Sequence, residues 1–447
     1  MAPQASLLKT DLYALLRLAG PVAAARLGIM AMGLTDVIIV GRYSATELGY
    51  MALSWGLTSV ILTAAVGVLA GIQVLSARYV GQGRPELTGG VLRRGVAYAG
   101  WIGAGSAAGL ILLGPWVLHA FRLAPGLAEG AIPSLYIFSL SLGPYLIAVA
   151  AMLYLEALGK TGPGLAFMWA ANAVNVAMDL WLVPGGWGVE AMGAVGAAWG
   201  TLSARTFLAV ALLIYIARMP QARSLGIFDK PRDSRAAAIE QRRIGYGAGA
   251  SPFVEAAAFS GMNVVCGWIG ALAVAGWAIV LNVSAIVFMV AMGLATATGV
   301  LVSRAYGARD KAALKRAGMV GAGVAAVYGV LAAIVVAVAA PLIAAAYATD
   351  PQLVALAAGG LALAGLFFAV DAIQVVVAQA LRSRGDVLAP TLTHLVSYAA
   401  VMLPLGWALA IPAGMGLRGV VWAVIVASFI SAGLLTWRFM ALARRDR

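Results

Sequence analysis

Twelve stretches of this chain are each long and apolar enough to cross a lipid bilayer. They lie near residues 15–40, 48–76, 95–118, 133–157, 163–184, 191–217, 244–270, 274–301, 317–347, 354–380, 388–411 and 416–440. A membrane span needs about 20 residues of helix. Hydrocarbon offers the backbone no hydrogen bonds, so each stretch must satisfy its own and reads as one helix. The apolar–polar alternation of a membrane barrel is absent. A composition that is 63% hydrophobic and 11% charged, with mean hydropathy +0.95 over 447 residues, excludes a soluble globule. The expected fold is an all-α integral membrane protein with twelve transmembrane helices.

The net charge of +13 suggests nucleic acid at first sight, and its distribution removes that reading. Basic residues gather in alternate loops: Arg78, Arg84, Arg93 and Arg94; Arg218 through Arg243; Arg304 through Arg316; Arg382 and Arg384; and Arg438, Arg444, Arg445 and Arg447. The intervening loops carry Arg42, Arg122 and Arg418. This asymmetry follows the positive-inside rule and puts both termini in the cytoplasm, and an even number of spans independently requires both on one side. A multi-pass protein of the inner, or plasma, membrane is expected. Lys9 and Arg17 precede an apolar run too long for a secretory signal, so it reads as an uncleaved first helix. The single cysteine, Cys266, excludes an intrachain disulfide. His119 and His394 have no ligand-like neighbours in sequence, and no catalytic metal is expected.

The chain is written twice. Ala157-Leu158 matches Ala380-Leu381, and Met192-Gly193, Gly196 and Trp199 match Met415-Gly416, Gly419 and Trp422, each pair 223 residues apart. Arg78 and Gly81 match Arg304 and Gly307, and Pro21 and Pro252 open corresponding helices. Each copy holds six helices, an even number, so the copies run in the same direction through the membrane. Parallel repeats with substrate held between them are a transporter architecture. The expected organisation is an N-lobe over residues 1–217, a polar, basic cytoplasmic linker over 218–243 and a C-lobe over 244–447. The linker's basic residues are also placed to meet anionic lipid headgroups.

Four acids, Asp36, Asp179, Glu255 and Asp371, lie within these apolar stretches. Each costs roughly 2.5–3.5 kcal/mol at the centre of a membrane helix. Such residues persist where they carry ions, protons or charged ligands, or where intramembrane bases pair with them. Arg26 and Arg205 are the bases the sequence offers. Asn175 and Asp179 share a face of the fifth helix, four residues apart. That spacing serves two readings, a pair of hard oxygen ligands for a small cation or an interhelical hydrogen-bond pair. Thr201, early in the sixth helix, adds a hydroxyl. Asp36 stands downstream of Pro21, which deletes a backbone hydrogen bond and makes a hinge. Asp371 follows Phe367 and Phe368, a setting that suits a proton, a sodium ion or an organic cation, while a Phe pair also serves plain packing. Arg205, one turn after Thr201, either approaches Asp179 or Asp36, snorkels, or makes a structural pair.

Several segments together resemble the multidrug and toxin compound extrusion (MATE) transporters, over essentially the whole chain. They are GPVAAARLGIMAMGLTDVIIVGR, NAVNVAMDLWLVPGGWGVEAMGAVGAAWGT, SPFVEAAAFSGMNVV and FFAVDAIQVVVAQALRSRGD. The resemblance implies that Asp36, Asn175, Asp179 and Thr201 form the N-lobe cation-coupling site, an oxygen set that suits Na+. It implies that Glu255 and Asp371 are the C-lobe acidic pair of the NorM-type branch, binding cation or substrate. The chain departs at Phe367, where NorM-type relatives commonly carry tyrosine, so a hydroxyl is missing from that C-lobe set. A second departure is the charge of Arg205. The implied function is antiport of small-molecule organic cations against Na+ or H+ by alternating access of two lobes, with no cofactor beyond the coupling ion. The protein is expected to be monomeric, lipid-embedded and not an enzyme.

Two other readings compete. A flippase of lipid-linked oligosaccharide, from the same superfamily, would favour a basic cavity, and Arg26 and Arg205 point that way. A membrane-embedded prenyl or glycosyl transferase would require paired Asp-rich metal motifs, which the sequence lacks.

Overall fold

The computed structural model describes residues 4–121, 126–186, 188–229 and 235–445. It consists of long helices, which we number α1 (Gln4–Tyr43), α2 (Ala45–Gly81), α3 (Thr88–Ala120), α4 (Leu127–Leu158), α5 (Thr161–Leu182), α6 (Ala194–Arg218), α7 (Arg235–Ile269), α8 (Ala271–Gly307), α9 (Lys311–Tyr347), α10 (Pro351–Ser383), α11 (Leu388–Ala410) and α12 (Leu417–Arg445). Among the described residues, eleven are long and apolar enough to cross a membrane. The twelfth, α7, is diluted by Ser251, Glu255, Ser260 and Asn263 and extends to Arg235, well before the apolar stretch at 244–270. Leu69, in a right-handed helical conformation, divides α2 into the segments Ala45–Val68 and Ala70–Gly81. Residues Leu395–Met402 of α11 are π-helical.

Side-chain caps fix several helix starts. Ser44 accepts from Glu47 N at 3.4 Å, Asp310 from Ala313 N at 2.8 Å and Asp350 from Gln352 N at 2.8 Å, with Pro351 following. Each satisfies an amide that has no partner within its helix. Large apolar side chains such as Trp101, Trp116, Leu112, Val338 and Leu342 stand exposed, as lipid-facing residues must.

The chain divides into two compact units, Ala24–Gly249, and Met1–Ala23 with Ala250–Arg447. The divisions fall inside α1 and α7, close to Pro21 and Pro252, and so differ from a division drawn at the linker. In the first unit Tyr154, Leu155, Leu208, Leu212 and Ile72 form the core. In the second, Met262, Trp277, Leu361, Tyr398 and Val421 do so. Of the linker, Lys230–Ser234 lie outside the described residues, as do Arg122 and Arg447 and the side chain of Arg445. Its first part is folded rather than loose, because Ala222, Leu225 and Ile227 are buried and Leu225 O accepts from Gly89 N at 2.8 Å.

The sequence repeat has a structural counterpart. Between α5 and α6, Met192 N donates to Leu182 O at 3.0 Å and Gly193 N to Val183 O at 3.1 Å. Between α11 and α12, Met415 N donates to Leu409 O and Gly416 N to Ala410 O, both at 3.1 Å. Gly193 and Gly416 have φ of 53° and 56°, a region open to glycine at little steric cost.

Candidate functional site

In the first unit, α1, α5 and α6 bring four of the expected residues together. Asn175 and Asp179 are fully buried, Thr201 is 1% exposed and Asp36 6%. Thr201 Oγ1 donates to Asp36 Oδ2 at 3.0 Å. The Asp36 carboxyl neighbours those of Asp179 and the Asn175 amide. Among the described residues, Asp36 Oδ1, both Asp179 oxygens and Asn175 Nδ2 have no hydrogen-bond partner. Two buried carboxylates in contact cannot both stay ionised without a cation or a proton between them. Asn175 and Asp179 therefore face Asp36 and Thr201, the arrangement that their spacing on α5 made available.

Two contributors escaped the sequence reading. Gly200, beside Thr201, leaves room for the Asp179 carboxyl: a Cβ there would fall on Asp179 Oδ1 and lie 3.5 Å from Asn175 Nδ2. Thr35 Oγ1 lies 3.4 Å from Asn175 Oδ1, although its single proton is better aligned with Met32 O at 2.8 Å. Neither carries charge, so no sequence signal marked them.

The bases resolve differently. Arg205 Nη1 donates to Ser141 Oγ at 2.7 Å, and its guanidinium lies over the rings of Tyr145 at 4.6 Å and Trp55 at 5.3 Å. These rings hold its charge by cation–π contact, and it makes no ion pair with Asp36 or Asp179 among the described residues. Arg26 Nη2 lies 3.8 Å from Glu156 Oε1, while Gln73 Nε2 donates to Glu156 Oε2 at 2.9 Å. Glu156, 4% exposed, is thus a fifth acid within the apolar helices and is buried like Asp36 and Asp179. Its position at the end of the fourth apolar stretch had hidden it.

In the second unit, α7 and α10 bring Glu255 and Asp371 within electrostatic reach of each other. Gln374 Nε2, one turn along α10, donates to Asp371 Oδ1 at 3.2 Å. Phe367 and Phe368 are buried in the apolar core, their rings edge-to-face at 5.1 Å. Two residues are placed differently from their reading in sequence. His394 is not isolated: its Nδ1 lies 2.8 Å from Ser251 Oγ and 3.7 Å from Glu255 Oε2, although no cluster of three metal-ligating side chains forms among the described residues. Arg382 is a buried base at the end of α10 rather than a loop residue. It is 8% exposed, and its Nη2 donates to Ser251 Oγ at 2.8 Å. A helix continuing to Ser383 carries it inward, which the charge pattern alone did not reveal.

Comparison with known proteins fits both units. The MatE family model matches residues 21–181 and 250–408, one copy to each half of the chain. A probable multidrug resistance protein NorM of Caulobacter vibrioides is 58% identical over 98% of this chain and 93% of its own length. The multidrug resistance protein PmpM of Pseudomonas aeruginosa is 29% identical over 98% and 93%. Among solved structures, MATE in the bent conformation is similar at a TM-score of 0.89, with 18% identity over 99% of this chain and 98% of that one. A eukaryotic MATE transporter is similar at 0.87, with 16% identity over 98% and 99%. With a family model matched in both halves and a NorM relative at 58% identity, the chain belongs to the MatE family of multidrug and toxin compound extrusion transporters, and it is not an enzyme.

Proposed function

We propose that this protein exports small organic cations across the inner membrane, exchanging them for Na+ or H+ by alternating access of its two lobes. The observation that supports this most is the Asp36–Asp179 contact, with three of its carboxylate oxygens accepting no geometrically sound hydrogen bond among the described residues. Such a pair stabilises whatever positive charge enters it and is destabilised when that charge leaves, which is the asymmetry a coupled carrier needs. Two carboxylates, the Asn175 amide and the Thr201 hydroxyl form a hard-oxygen set suited to Na+, and a single proton shared between the carboxyls would meet the same need. Glu255 and Asp371 offer organic cations a second acidic site in the other lobe. The names of the relatives, multidrug resistance proteins, support drug-like substrates. The flippase reading is not favoured, because Arg26 and Arg205 are taken up by Glu156 and by aromatic rings.

Efflux of an ethidium-like cation from proteoliposomes tests this, with a sodium gradient imposed at fixed pH and then a pH gradient without sodium. Efflux under either gradient is expected, and the gradient that works identifies the coupling ion. Efflux under neither would remove the antiporter reading.

A further inference from the structure

A groove of about 230 Å³ opens on the first unit between α2, α3 and the first turns of α7. None of Asp36, Glu156 or Asp179 lines it. Its apolar wall includes Leu69, Ile72 and Trp101, and its polar end is Arg94, Gln241 and Arg242. The polar end is built rather than incidental. Gln241, 7% exposed, accepts from Arg94 Nε at 3.2 Å and donates to Val91 O at 3.2 Å, which fixes the guanidinium beside α7. Arg242 is exposed and makes no hydrogen bond or ion pair among the described residues. The neighbouring Glu240 is engaged by Arg78 at 2.6 Å, and no carboxylate lines the groove. Tyr98, also in the lining, donates to Tyr246 Oη at 2.8 Å, leaving the 56% exposed Tyr246 its own proton to give.

The order of these groups in depth matches a bilayer leaflet. Arg94, Tyr98 and Trp101 follow one another on one face of α3, and Arg242 and Tyr246 repeat guanidinium and phenol on α7. Both helices start on the side that the charge rule assigns to the cytoplasm. Charge therefore lies at headgroup level, phenols below it and the 78% exposed Trp101 deepest, against acyl chains.

We propose that this groove binds an anionic phospholipid of the cytoplasmic leaflet. Its phosphate sits at Arg94 and Arg242, and one acyl chain lies along Leu69, Ile72 and Trp101. Guanidinium groups match phosphate oxygens in geometry as well as charge. The same two charges repel the organic cations proposed as cargo, and a free phosphate would leave the apolar wall unused. The site is independent of the transport reading.

Native mass spectrometry of the delipidated full-length protein, titrated with phosphatidylglycerol and phosphatidylcholine, tests it. The wild type should retain phosphatidylglycerol preferentially. The preference should fall about fivefold in Arg242→Gln and further in the Arg94→Gln/Arg242→Gln double variant. Arg243→Gln, an exposed neighbour outside the lining, should leave it unchanged, and so should excess inorganic phosphate. Arg242 is exposed, so its single replacement remains informative if the double variant does not fold. Equal retention of the two lipids, an undiminished preference in Arg242→Gln, the same loss in Arg243→Gln, or displacement by inorganic phosphate would each overturn the proposal.

Discussion

Thr201 donates its hydroxyl to Asp36 across 3.0 Å, joining the first turns of α6 to the interior of α1. A hydrogen bond to a charged group contributes about 1.5–3 kcal/mol. Thr201→Val keeps the shape and removes the donor. In the proposed site it should raise the cation concentration for half-maximal transport by roughly 10- to 100-fold, whereas Thr201→Ser should stay near wild type. Cation titration of efflux in proteoliposomes measures both, and an unchanged midpoint in Thr201→Val would show the hydroxyl to be structural.

Asp36→Asn removes one of the two carboxylates in contact and with it the need for a shared cation. Coupled efflux should be lost while insertion and folding persist, since Asp179 loses a like-charge neighbour rather than a partner. Wild-type resistance in cells expressing the variant at equal level would exclude Asp36 from the coupling site.

Gly196 and Gly419, 223 residues apart, make the same close approach in the two copies. A Cβ on Gly196 would lie 2.8 Å from Leu182 C, and one on Gly419 would lie 2.6 Å from Leu409 C. Both contacts are with backbone, which cannot yield as a flexible side chain does. Gly196→Ala and Gly419→Ala should each destabilise the protein by about 1–3 kcal/mol. Thermal unfolding in detergent checks this. A melting temperature unchanged in either variant would mean that the helix ends separate at little cost.

Much of this architecture was legible because bilayer and repeat are strong constraints. Length and apolarity alone located the helices, and the 223-residue interval located equivalent loops such as those closed by Gly193 and Gly416. The first-unit cluster was legible because Asp36 and Asp179 are costly in hydrocarbon and Asn175 sits one turn from Asp179. Neutral helpers were not, since Gly200 acts by lacking a side chain and Thr35 resembles any helix threonine. Residues near helix ends were misjudged for another reason. Glu156 and Arg382 lie in the last turns of α4 and α10 and His394 in the first turns of α11, where a sequence cannot separate a loop from a buried helix end, and only their partners, Arg26, Ser251 and Glu255, reveal them as interior.

The Arg26–Glu156 pair is almost sealed from solvent, with side chains 12% and 5% exposed. Removing one partner of a buried pair leaves the other uncompensated, at about 3–5 kcal/mol. Glu156→Gln should therefore lower the melting temperature sharply, and Arg26→Met/Glu156→Met should recover most of the loss. A single variant as stable as the double would mean that Gln73 alone suffices to hold this corner of the lobe.

Glu255 and Asp371 should discriminate between cationic and neutral cargo. They lie within electrostatic reach of each other, and Glu255 also of Arg382, in surroundings where little water screens charge. An organic cation gains from both acids, and a neutral compound of similar shape gains from neither. Glu255→Gln and Asp371→Asn should each weaken binding of an ethidium-like cation by at least about tenfold, a loss of roughly 1.4 kcal/mol, and leave a neutral analogue within about twofold. Arg382 sharpens the test, because neutralising Glu255 leaves its charge more exposed to an incoming cation, so Glu255→Gln should be the more severe of the two. Fluorescence titration of the purified variants with both ligands measures this. Equal weakening of cationic and neutral ligands would assign the pair to the shape of the second unit, and unchanged binding of both would assign it to ion coupling alone.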